Sequence, residues 1–324
     1  MFKNEKVLVT GAAGYIGRHL VGELISQQVD MVYLVDRPEM LENSLSYYSD
    51  EQLGKIRLLP CNLMNDEEVD ALPSCDYVFH LAAINGTQIF YEKPWYVFSN
   101  SLQSTLNMIY RYGEDEKLQN FIYTSTSEVY ADLVPISESP VPTNEFTHVG
   151  FKNVANPRWS YGGAKLAGEI AVYAAQHQLD MPFSILRYHN VYGPNMGPNH
   201  VIPDFITRGE IGIYELFGGN NVRSFIFIRD AIRATLLVAT HPQSRNRITH
   251  VGNSDPISMV QLAEKIMRIK GWSGDIEVHP APVGSVHYRC PDVKFLRETL
   301  GFKSEVDLET GLSLVLLPSS TKGF

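Results

Sequence analysis

The stretch from Val7 to Leu20 constrains the fold of this chain more than any other segment. It starts as a short apolar run, passes through Gly11, Gly14 and Gly17, and continues into a helical pattern predicted to begin near Ala13. Glycine allows a tight turn and lets backbone N–H groups approach a ligand without a Cβ atom in the way. The helix then directs the positive end of its dipole at the same ligand. The pattern predicts a dinucleotide turn that holds a pyrophosphate; an ordinary tight connection between strand and helix is the alternative.

An acidic residue follows the second apolar run, Met31–Val35, at the position where a dinucleotide fold needs one. Asp36 lies about twenty residues after the last glycine, where a carboxylate accepts hydrogen bonds from the adenosine ribose. A carboxylate there repels the 2′-phosphate of NADP, so NAD is the predicted cofactor. Arg37 could instead accept that phosphate, although Pro38 makes a surface turn equally compatible with the sequence. The predicted NAD contacts in this part of the chain are Gly11, Gly14, Tyr15, Ile16, Gly17, Asp36 and Arg37.

The composition is that of an ordinary globular protein, and it narrows the range of partners. The chain has 324 residues, of which 44% are hydrophobic and 19% charged, with a net charge of -9. That charge gives no electrostatic reason to expect a nucleic acid partner. No apolar run approaches the length of a membrane span, and the first strand follows Met1 too closely for a signal peptide. We therefore expect a cytoplasmic protein with no membrane partner.

The cysteines suggest neither a disulfide framework nor a metal site. Cys61, Cys75 and Cys290 are scattered, odd in number and free of C-x-x-C spacing. We predict that they are reduced residues with a packing role and that the protein binds no metal.

Apolar runs alternate with helical stretches from Val7 to about Tyr188, the pattern of a doubly wound parallel α/β sheet, the Rossmann fold. Right-handed crossovers place the carboxyl ends of such strands along one edge, where ligands bind. We predict an NAD-binding Rossmann domain over residues 1–187 and a smaller C-terminal α/β substrate domain over 188–324, parts of which can return to the sheet. The predicted strands are Lys6–Val9, Met31–Val35, Ile56–Pro60, Tyr77–Leu81, Asn120–Thr124 and Phe183–Arg187.

Two short segments at the predicted edge complete the cofactor site. Asn62 and Leu63 close the third strand, where a polar group could touch the adenine; a turn asparagine is the alternative. Leu81, Ala82 and Ala83 close the fourth strand with small residues that would let the nicotinamide ribose lie against the backbone.

A phenol and an ammonium group lie four residues apart in the segment Tyr161–Lys165, so a helix places both on one face. Ser160 is a plausible N-cap. A phenol with a pKa near 10 needs roughly 4 kcal/mol of differential stabilisation to act as a base at neutral pH. Lys165 and an oxidised nicotinamide ring together could supply it. An accidental Tyr and Lys pair on a solvated helix is the alternative.

The segment after the fifth strand adds hydroxyls at Thr126 and Ser127 and a carboxylate at Glu128. Facing a nicotinamide, these groups and the Tyr161–Lys165 pair would form a hydride-transfer site. Tyr161 would take the proton of a substrate hydroxyl, Thr126 would polarise the same oxygen, and Lys165 would tune Tyr161.

With these motifs the chain resembles the extended short-chain dehydrogenase/reductases, specifically the NAD-dependent nucleotide-sugar epimerases and dehydratases. The resemblance extends from Val7 to about Phe302. It rests on the glycines and Asp36, His80–Ala83, Thr126 with Tyr161 and Lys165, Arg187–Pro194, Gly218–Phe225, Arg289–Asp292 and Leu300–Phe302.

The resemblance implies a UDP- or GDP-linked sugar as substrate and assigns roles to residues after the sixth strand. Arg223 and Arg289 would hold the pyrophosphate, which suits the guanidinium fork. Asn190 would contact sugar or phosphate. It also implies a homodimer formed by the Tyr161 helix and the Pro94–Tyr112 helix. The stripe Leu166, Ile170 and Tyr173 permits such an interface, but could equally be core.

The family's shared step, oxidation at sugar C4, leads to several outcomes. Re-reduction on the other face gives a 4-epimer, inversion at C5 gives a C5 epimer, loss of water gives a 4-keto-6-deoxy sugar, and loss of carbon dioxide gives a pentose. Glu128 beside C5 would serve elimination, C5 inversion or decarboxylation; it could also be a structural acid bonded to backbone amides of the following turn.

The sequence around the predicted site favours decarboxylation. The order Thr126–Glu128 resembles that of nucleotide-hexuronate decarboxylases and of GDP-mannose-type dehydratases, and Asn156–Tyr161 resembles the corresponding segment of bacterial UDP-glucuronate decarboxylases. Arg158 or Ser127 would then steady the carboxylate. A catalytically silent NAD-binding regulator is the alternative from another class, although the intact Thr126, Tyr161 and Lys165 set argues against it.

Overall fold

The structure, a computed structural model, describes residues 1–42, 44–130, 142–198, 200–281 and 284–317. Strands and helices alternate over its first half. The strands are β1 (Lys6–Thr10), β2 (Met31–Asp36), β3 (Ile56–Pro60), β4 (Tyr77–His80), β5 (Asn120–Thr126), β6 (Phe183–Tyr188), β7 (Val191–Tyr192), β8 (Glu215–Phe217), β9 (Val222–Arg223), β10 (Ile226–Phe227), β11 (Ile248–Val251), β12 (Ile257–Ser258), β13 (Glu277–His279) and β14 (Tyr288–Arg289).

Longer helices cover the sheet, and shorter ones lie in the connections. The helices are α1 (Tyr15–Ser26), α2 (Pro38–Leu41), α3 (Asp50–Leu53), α4 (Asp66–Asp70), α5 (Thr87–Glu92), α6 (Pro94–Tyr112), α7 (Trp159–Leu179), α8 (Val201–Gly209), α9 (Ile228–Thr240), α10 (Met259–Lys270) and α11 (Leu308–Leu316). Within the described ranges, no helix combines the length and the apolar character needed to cross a membrane.

The central sheet has seven parallel strands in the order β11-β6-β5-β4-β1-β2-β3. Its middle strands are apolar on both faces because helices cover both sides, as in other parallel sheets. The chain runs from β1 outward to β3, then crosses to β4 and builds outward in the other direction. The order reverses between β1 and β4, and ligands of open α/β sheets bind beside such a reversal.

The predicted doubly wound α/β fold is confirmed, and all six predicted strands are present. Five of them end one or two residues away from the predicted position, and β3 has the predicted bounds. β5 continues through Ser125 and Thr126, which pair with Arg187 and Tyr188 of β6. β4 ends at His80, one residue before the predicted Leu81, and α1 begins at Tyr15 rather than near Ala13.

The region after β6 forms small sheets of two or three strands, in which β9 lies between β12 and β14. After β10 the chain returns to the central sheet as β11, an edge strand that pairs with β6 in parallel, and β12 to β14 follow it. The segment between β6 and β11 lies over the edge of the sheet that carries the glycine turn, because β7 begins just after the carboxyl end of β6 and pairs with β10.

Candidate active site

A cavity of about 660 Å³ opens at the carboxyl ends of β1, β2, β4, β5 and β6. It brings together every residue that the sequence analysis assigned to cofactor, substrate or catalysis. Those residues are Gly11, Gly14, Tyr15, Ile16, Gly17, Asp36, Arg37, Asn62, Leu63, Leu81, Ala82, Ala83, Thr126, Ser127, Glu128, Arg158, Tyr161, Lys165, Asn190, Arg223 and Arg289.

The glycine turn is packed so closely that side chains would not fit. Gly11 has a φ of +66°, and a Cβ atom on it would lie 2.9 Å from the backbone nitrogen of Ala82. A Cβ atom on Gly17 would overlap the carbonyl oxygen of Gly11. The turn therefore brings its backbone and the start of α1 to the cavity wall, as a pyrophosphate site requires.

Asp36 is fixed at the adenosine end of the cavity. Its carboxylate accepts hydrogen bonds from the backbone N–H of Ala13 (3.1 Å) and of Arg37 (2.9 Å). The Arg37 side chain is half exposed and pairs with Glu39 at 3.2 Å. The arrangement leaves a carboxylate facing the ribose position while Arg37 is engaged elsewhere, which fits NAD.

Asn62, which follows the third strand, is both a turn residue and a residue of the cavity wall. Its side-chain oxygen accepts a hydrogen bond from the backbone N–H of Met64 at 3.1 Å, so it shapes a turn. It also lines the cavity beside Leu63.

Tyr161 lies inside the first turns of α7, and its ring stacks on Phe90 of α5, with centroids 5.2 Å apart and an interplanar angle of 6°. The hydroxyl of Thr126, the last residue of β5, lowers the pKa of Tyr161, and both residues line the cavity. Sequence reasoning missed Phe90; its only signal was an aromatic residue soon after the fourth strand. Together these contacts hold the phenol at the mouth of the catalytic end of the cavity.

Lys165 is 1% exposed, and its Nζ has no hydrogen-bond partner among the described residues. It lies 4.8 Å from the centroid of the Tyr123 ring. An unpaired buried ammonium is costly, so a polar group that enters the cavity beside it would be stabilised. The ribose hydroxyls of a dinucleotide are groups of this kind.

The predicted tuning of Tyr161 by Lys165 is not the dominant effect in the structure. Burial, and then the Glu128 carboxylate, raise the pKa of Tyr161, whereas its hydrogen bond with Thr126 lowers it. Burial also lowers the pKa of Lys165 to about 7. The tuning of Tyr161 by Lys165 in the presence of a nicotinamide stays a prediction; it must also offset desolvation, which disfavours both charged forms.

Ser160 is not the N-cap of this helix. α7 begins at Trp159, its N-cap position is Arg158, and no side chain caps it. Ser160 therefore lies in the first turn, and its hydroxyl is buried without a partner among the described residues.

An arginine cluster lines part of the cavity. Glu128 accepts hydrogen bonds from Arg158 (3.2 Å) and Arg289 (2.9 Å) through one oxygen. Burial opposes ionisation of Glu128, but the guanidinium groups of Arg289 and Arg158 outweigh it and lower the pKa of this carboxyl. Glu128 is thus a charged partner of arginines, rather than an acid bonded to backbone amides.

The cluster keeps unused hydrogen-bond donors. Arg158 Nε and Arg289 Nη2 are buried and have no partner among the described residues. Arg223 completes the cluster: it donates to the carbonyls of Val222 (2.8 Å) and His287 (3.2 Å), and burial followed by the charge of Arg289 lowers its pKa to about 9. Three guanidinium groups against one carboxylate leave a formal charge of +2, which attracts an anion.

The two residues that follow β6 have different surroundings. Asn190 lines the cavity with a φ of +36° and donates to the carbonyl of Ser224 at 2.8 Å. His189 is 1% exposed and packs against His250, and burial lowers its pKa well below the usual value. Cys61, Cys75 and Cys290 are likewise buried, and all three are free thiols.

Comparison with known proteins places this geometry in context. A family model described as the NAD dependent epimerase/dehydratase family matches residues 7–252. The UDP-N-acetyl-alpha-D-glucosaminuronate decarboxylase of Bacillus cytotoxicus is 31% identical over 322 residues, which cover 95% of each chain.

Solved structures give the same picture. The UDP-glucose 4-epimerase of Thermotoga maritima, solved with UDP-glucose, has 27% identity and a TM-score of 0.82 over 96% of this chain and 97% of that one. The UDP-glucuronic acid 4-epimerase of Bacillus cereus, solved with UDP-glucuronic acid and NAD, has 25% identity and a TM-score of 0.81 over 95% of this chain and 97% of that one.

Proposed function

This chain belongs to the NAD dependent epimerase/dehydratase family, and on that premise we propose that it decarboxylates a UDP-linked hexuronate after oxidising it at C4. The chain is an NAD-dependent enzyme of nucleotide sugars. The observation that supports the narrower proposal is the arginine cluster, with its unused buried donors at Arg158 and Arg289.

The charge and donors of the cluster suit a substrate with more than one anionic group. A nucleotide hexuronate carries a diphosphate and a carboxylate. We assign Arg223 and Arg289 to the diphosphate and Arg158, with Ser127 beside it, to the carboxylate, because Arg158 directly precedes the helix that carries Tyr161. Asn190 would contact the sugar or phosphate from the adjoining wall.

The first step is removal of the C4 hydrogen as a hydride and of the C4 hydroxyl proton. Bound NAD would accept the hydride and could later return it. Tyr161 is the proposed base for the proton, Thr126 stabilises the phenolate by its hydrogen bond, and Lys165 holds the ribose and adds positive charge. The positive nicotinamide ring and Lys165 must together overcome the burial that raises the pKa of Tyr161.

Decarboxylation asks less of Glu128 than loss of water does. A 4-keto hexuronate is a β-keto acid: the bond from C5 to the carboxylate breaks, carbon dioxide leaves, and the electron pair moves into an enolate that is protonated at C5. Loss of water would need an acid beside the leaving hydroxyl. Since Arg158 and Arg289 hold Glu128 ionised, we propose that it fixes these arginines and is not the acid.

A second candidate is 4-epimerisation of the same hexuronate, which needs only the Tyr161, Thr126 and Lys165 set. The similarity to the Bacillus cereus 4-epimerase favours it. Decarboxylation and 4-epimerisation differ in one observable, the mass of the product.

The deciding experiment supplies the purified protein and NAD with UDP-glucuronate or UDP-N-acetylglucosaminuronate and analyses the products by mass spectrometry. Decarboxylation predicts loss of the mass of carbon dioxide. An unchanged mass with inverted C4 stereochemistry would instead support the 4-epimerase, and loss of water a dehydratase.

Tyr161→Phe separates an enzyme from a silent NAD-binding regulator. We expect its turnover to fall by about 10²- to 10⁴-fold, since it removes the proposed base, while NAD binding persists in a fluorescence titration. Full activity of this variant would refute the assigned base.

We also propose that residues 1–187 hold NAD, that residues 188–324 supply most nucleotide-sugar contacts, and that the protein is a homodimer. Ile170 and Tyr173 of α7 are 65% and 41% exposed, and Tyr110 of α6 is 80% exposed. These side chains are thus outside the core, and pairing α6 and α7 with those of a second copy would cover them.

A further inference from the structure

A buried ion pair lies one helical turn beyond Lys165. Glu169 of α7 and Arg187 of β6 are 3% and 2% exposed. Arg187 donates through Nε to Glu169 Oε1 at 2.8 Å and through Nη2 to Glu169 Oε2 at 2.5 Å. This bidentate geometry fixes the direction of both side chains.

The same carboxylate is also bound to the neighbouring strand. Ser125 of β5 donates to Glu169 Oε1 at 2.5 Å. Ser125 directly precedes Thr126, which contacts the Tyr161 hydroxyl. Glu169 therefore joins the helix that carries the phenol and the ammonium group to the strand that carries the hydroxyl, and joins both to β6.

Close packing of α7 on β5 restricts the relative movement of the elements that Glu169 connects. A Cβ atom on Gly168 would overlap the hydroxyl of Tyr123, so α7 lies directly on β5. The Tyr123 hydroxyl in turn donates to the carbonyl of Lys165 at 3.3 Å.

The charges around Lys165 can be assigned element by element. On its own helix Glu169 lies one turn after it and Tyr161 one turn before it; the Tyr123 ring of β5 lies 4.8 Å from its Nζ, and Lys165 lowers the pKa of His80 on β4. Burial raises the pKa of both tyrosines and lowers that of His80, so these groups are neutral. Glu169, which also pairs with Arg187, is the carboxylate that raises the pKa of Lys165 against burial.

We propose that Glu169 is a positioning residue for hydride transfer: with Arg187 and Ser125 it holds Tyr161 and Lys165 in register with Thr126, and its charge faces the Lys165 ammonium. The inference rests on the proposed catalytic roles of those residues. It does not depend on which product the enzyme makes, because every branch begins with oxidation at C4.

The test measures the formation of reduced nicotinamide in single turnovers as a function of pH, in the wild type and three variants. Glu169→Gln removes the charge, and Glu169→Asp keeps it on a shorter side chain. Glu169→Gln combined with Arg187→Met removes the whole pair without leaving an unpaired buried cation, and it also removes the hydrogen bonds that Arg187 donates to the Tyr130 hydroxyl and the Glu145 carbonyl. Thermal unfolding of each variant reports on stability separately.

We expect Glu169→Gln and the double variant to lose about 10- to 100-fold in the rate, as displaced catalytic groups do. Without the Glu169 carboxylate, Lys165 loses its proton at lower pH, so the alkaline limb of the rate profile moves to lower pH in both. Glu169→Asp should lower the rate while its alkaline limb stays at the wild-type pH.

A stabilising role alone predicts something different: lower melting temperatures, an unmoved alkaline limb, and recovery of the wild-type rate in the double variant. That result would overturn the proposal. Formation of reduced nicotinamide without loss of carbon dioxide would refute decarboxylation and leave the role of Glu169 intact. Loss of carbon dioxide by the wild type, with an unchanged rate and pH profile in Glu169→Gln, would support decarboxylation and refute the role of Glu169.

Discussion

At the scale of single residues, the buried charged side chains of the site differ in whether their hydrogen-bonding groups are satisfied. Glu128 is satisfied by arginines, whereas Lys165 and Arg158 keep buried donors without a partner among the described residues. Unsatisfied buried donors destabilise a protein on its own and favour a bound state that satisfies them. The contributions of Lys165 and Arg158 can therefore be measured by substituting each residue.

Arg158→Met should weaken binding of a carboxylated substrate. Loss of a charged hydrogen bond costs about 1.5–3 kcal/mol, so we expect KM for the UDP-hexuronate to rise roughly 10- to 100-fold. Inhibition by UDP-glucose, which lacks the carboxylate, should change little. Arg57→Met, on the exposed side of β3, is the matched control. An equal loss for both ligands would contradict a carboxylate role.

Lys165 should make the stability of the ligand-free protein depend on pH. Its pKa is about 7 in the fold against 10.5 as the reference value, so the unfolded chain binds more protons between these limits. Stability must then rise with pH across that window. Lys165→Met removes the term: in denaturant titrations without NAD it should be more stable than the wild type at neutral pH, with a shallower rise towards high pH. A parallel slope would refute the shifted pKa.

At the scale of helices and strands, the sequence predicted the elements that repeat a simple pattern. The six apolar runs became β1 to β6, since strands buried on both faces need apolar residues throughout. β11 escaped prediction because Thr249 and His250 interrupt its four residues, although both are fully buried. His250 is accommodated by hydrogen bonds to Tyr130 and the carbonyl of Asp292, which no local pattern reveals.

The candidate site likewise has features that local sequence spacing predicted and features that it did not. Spacing predicted that Tyr161 and Lys165 share a helix face and that strand ends gather the cofactor residues. It did not reveal that Arg158 and Arg289, 131 residues apart, meet on one oxygen of Glu128. It also did not reveal Glu169 as the link between α7 and β5, because that link depends on the register of helix on strand.

Contact between α7 and β5 predicts opposite effects for two glycine substitutions. Gly168→Ala should lower the free energy of unfolding by roughly 1–3 kcal/mol, since its methyl group would overlap the Tyr123 hydroxyl. Gly22→Ala in α1 is the control: nothing lies within 4 Å of its added Cβ. That variant should gain about 0.4–1 kcal/mol. Equal effects of both substitutions in urea titrations would contradict the close packing of α7.

At the scale of the whole molecule, the exposed side chains of α6 and α7 predict self-association. Ile170→Glu places a charge in the proposed interface and should convert the dimer to a monomer in sedimentation equilibrium. Ile211→Glu is the control, because Ile211 is similarly exposed at 72% but lies after α8. A monomeric wild type, or an unaltered dimer in Ile170→Glu, would refute the α6–α7 interface.

The return of the chain to the central sheet as β11 limits how the substrate specificity of this protein can be engineered. The region proposed to bind the sugar departs after β6, returns to the central sheet as the edge strand β11 and continues beyond it, so it is interleaved with the central sheet and is not simply attached at its end. A chain truncated near residue 187 would expose β6 as an unguarded edge and invite aggregation. Transplanting a new sugar preference from a relative therefore calls for exchanging the loops between β6 and β11 and around β14, with β11 left in place.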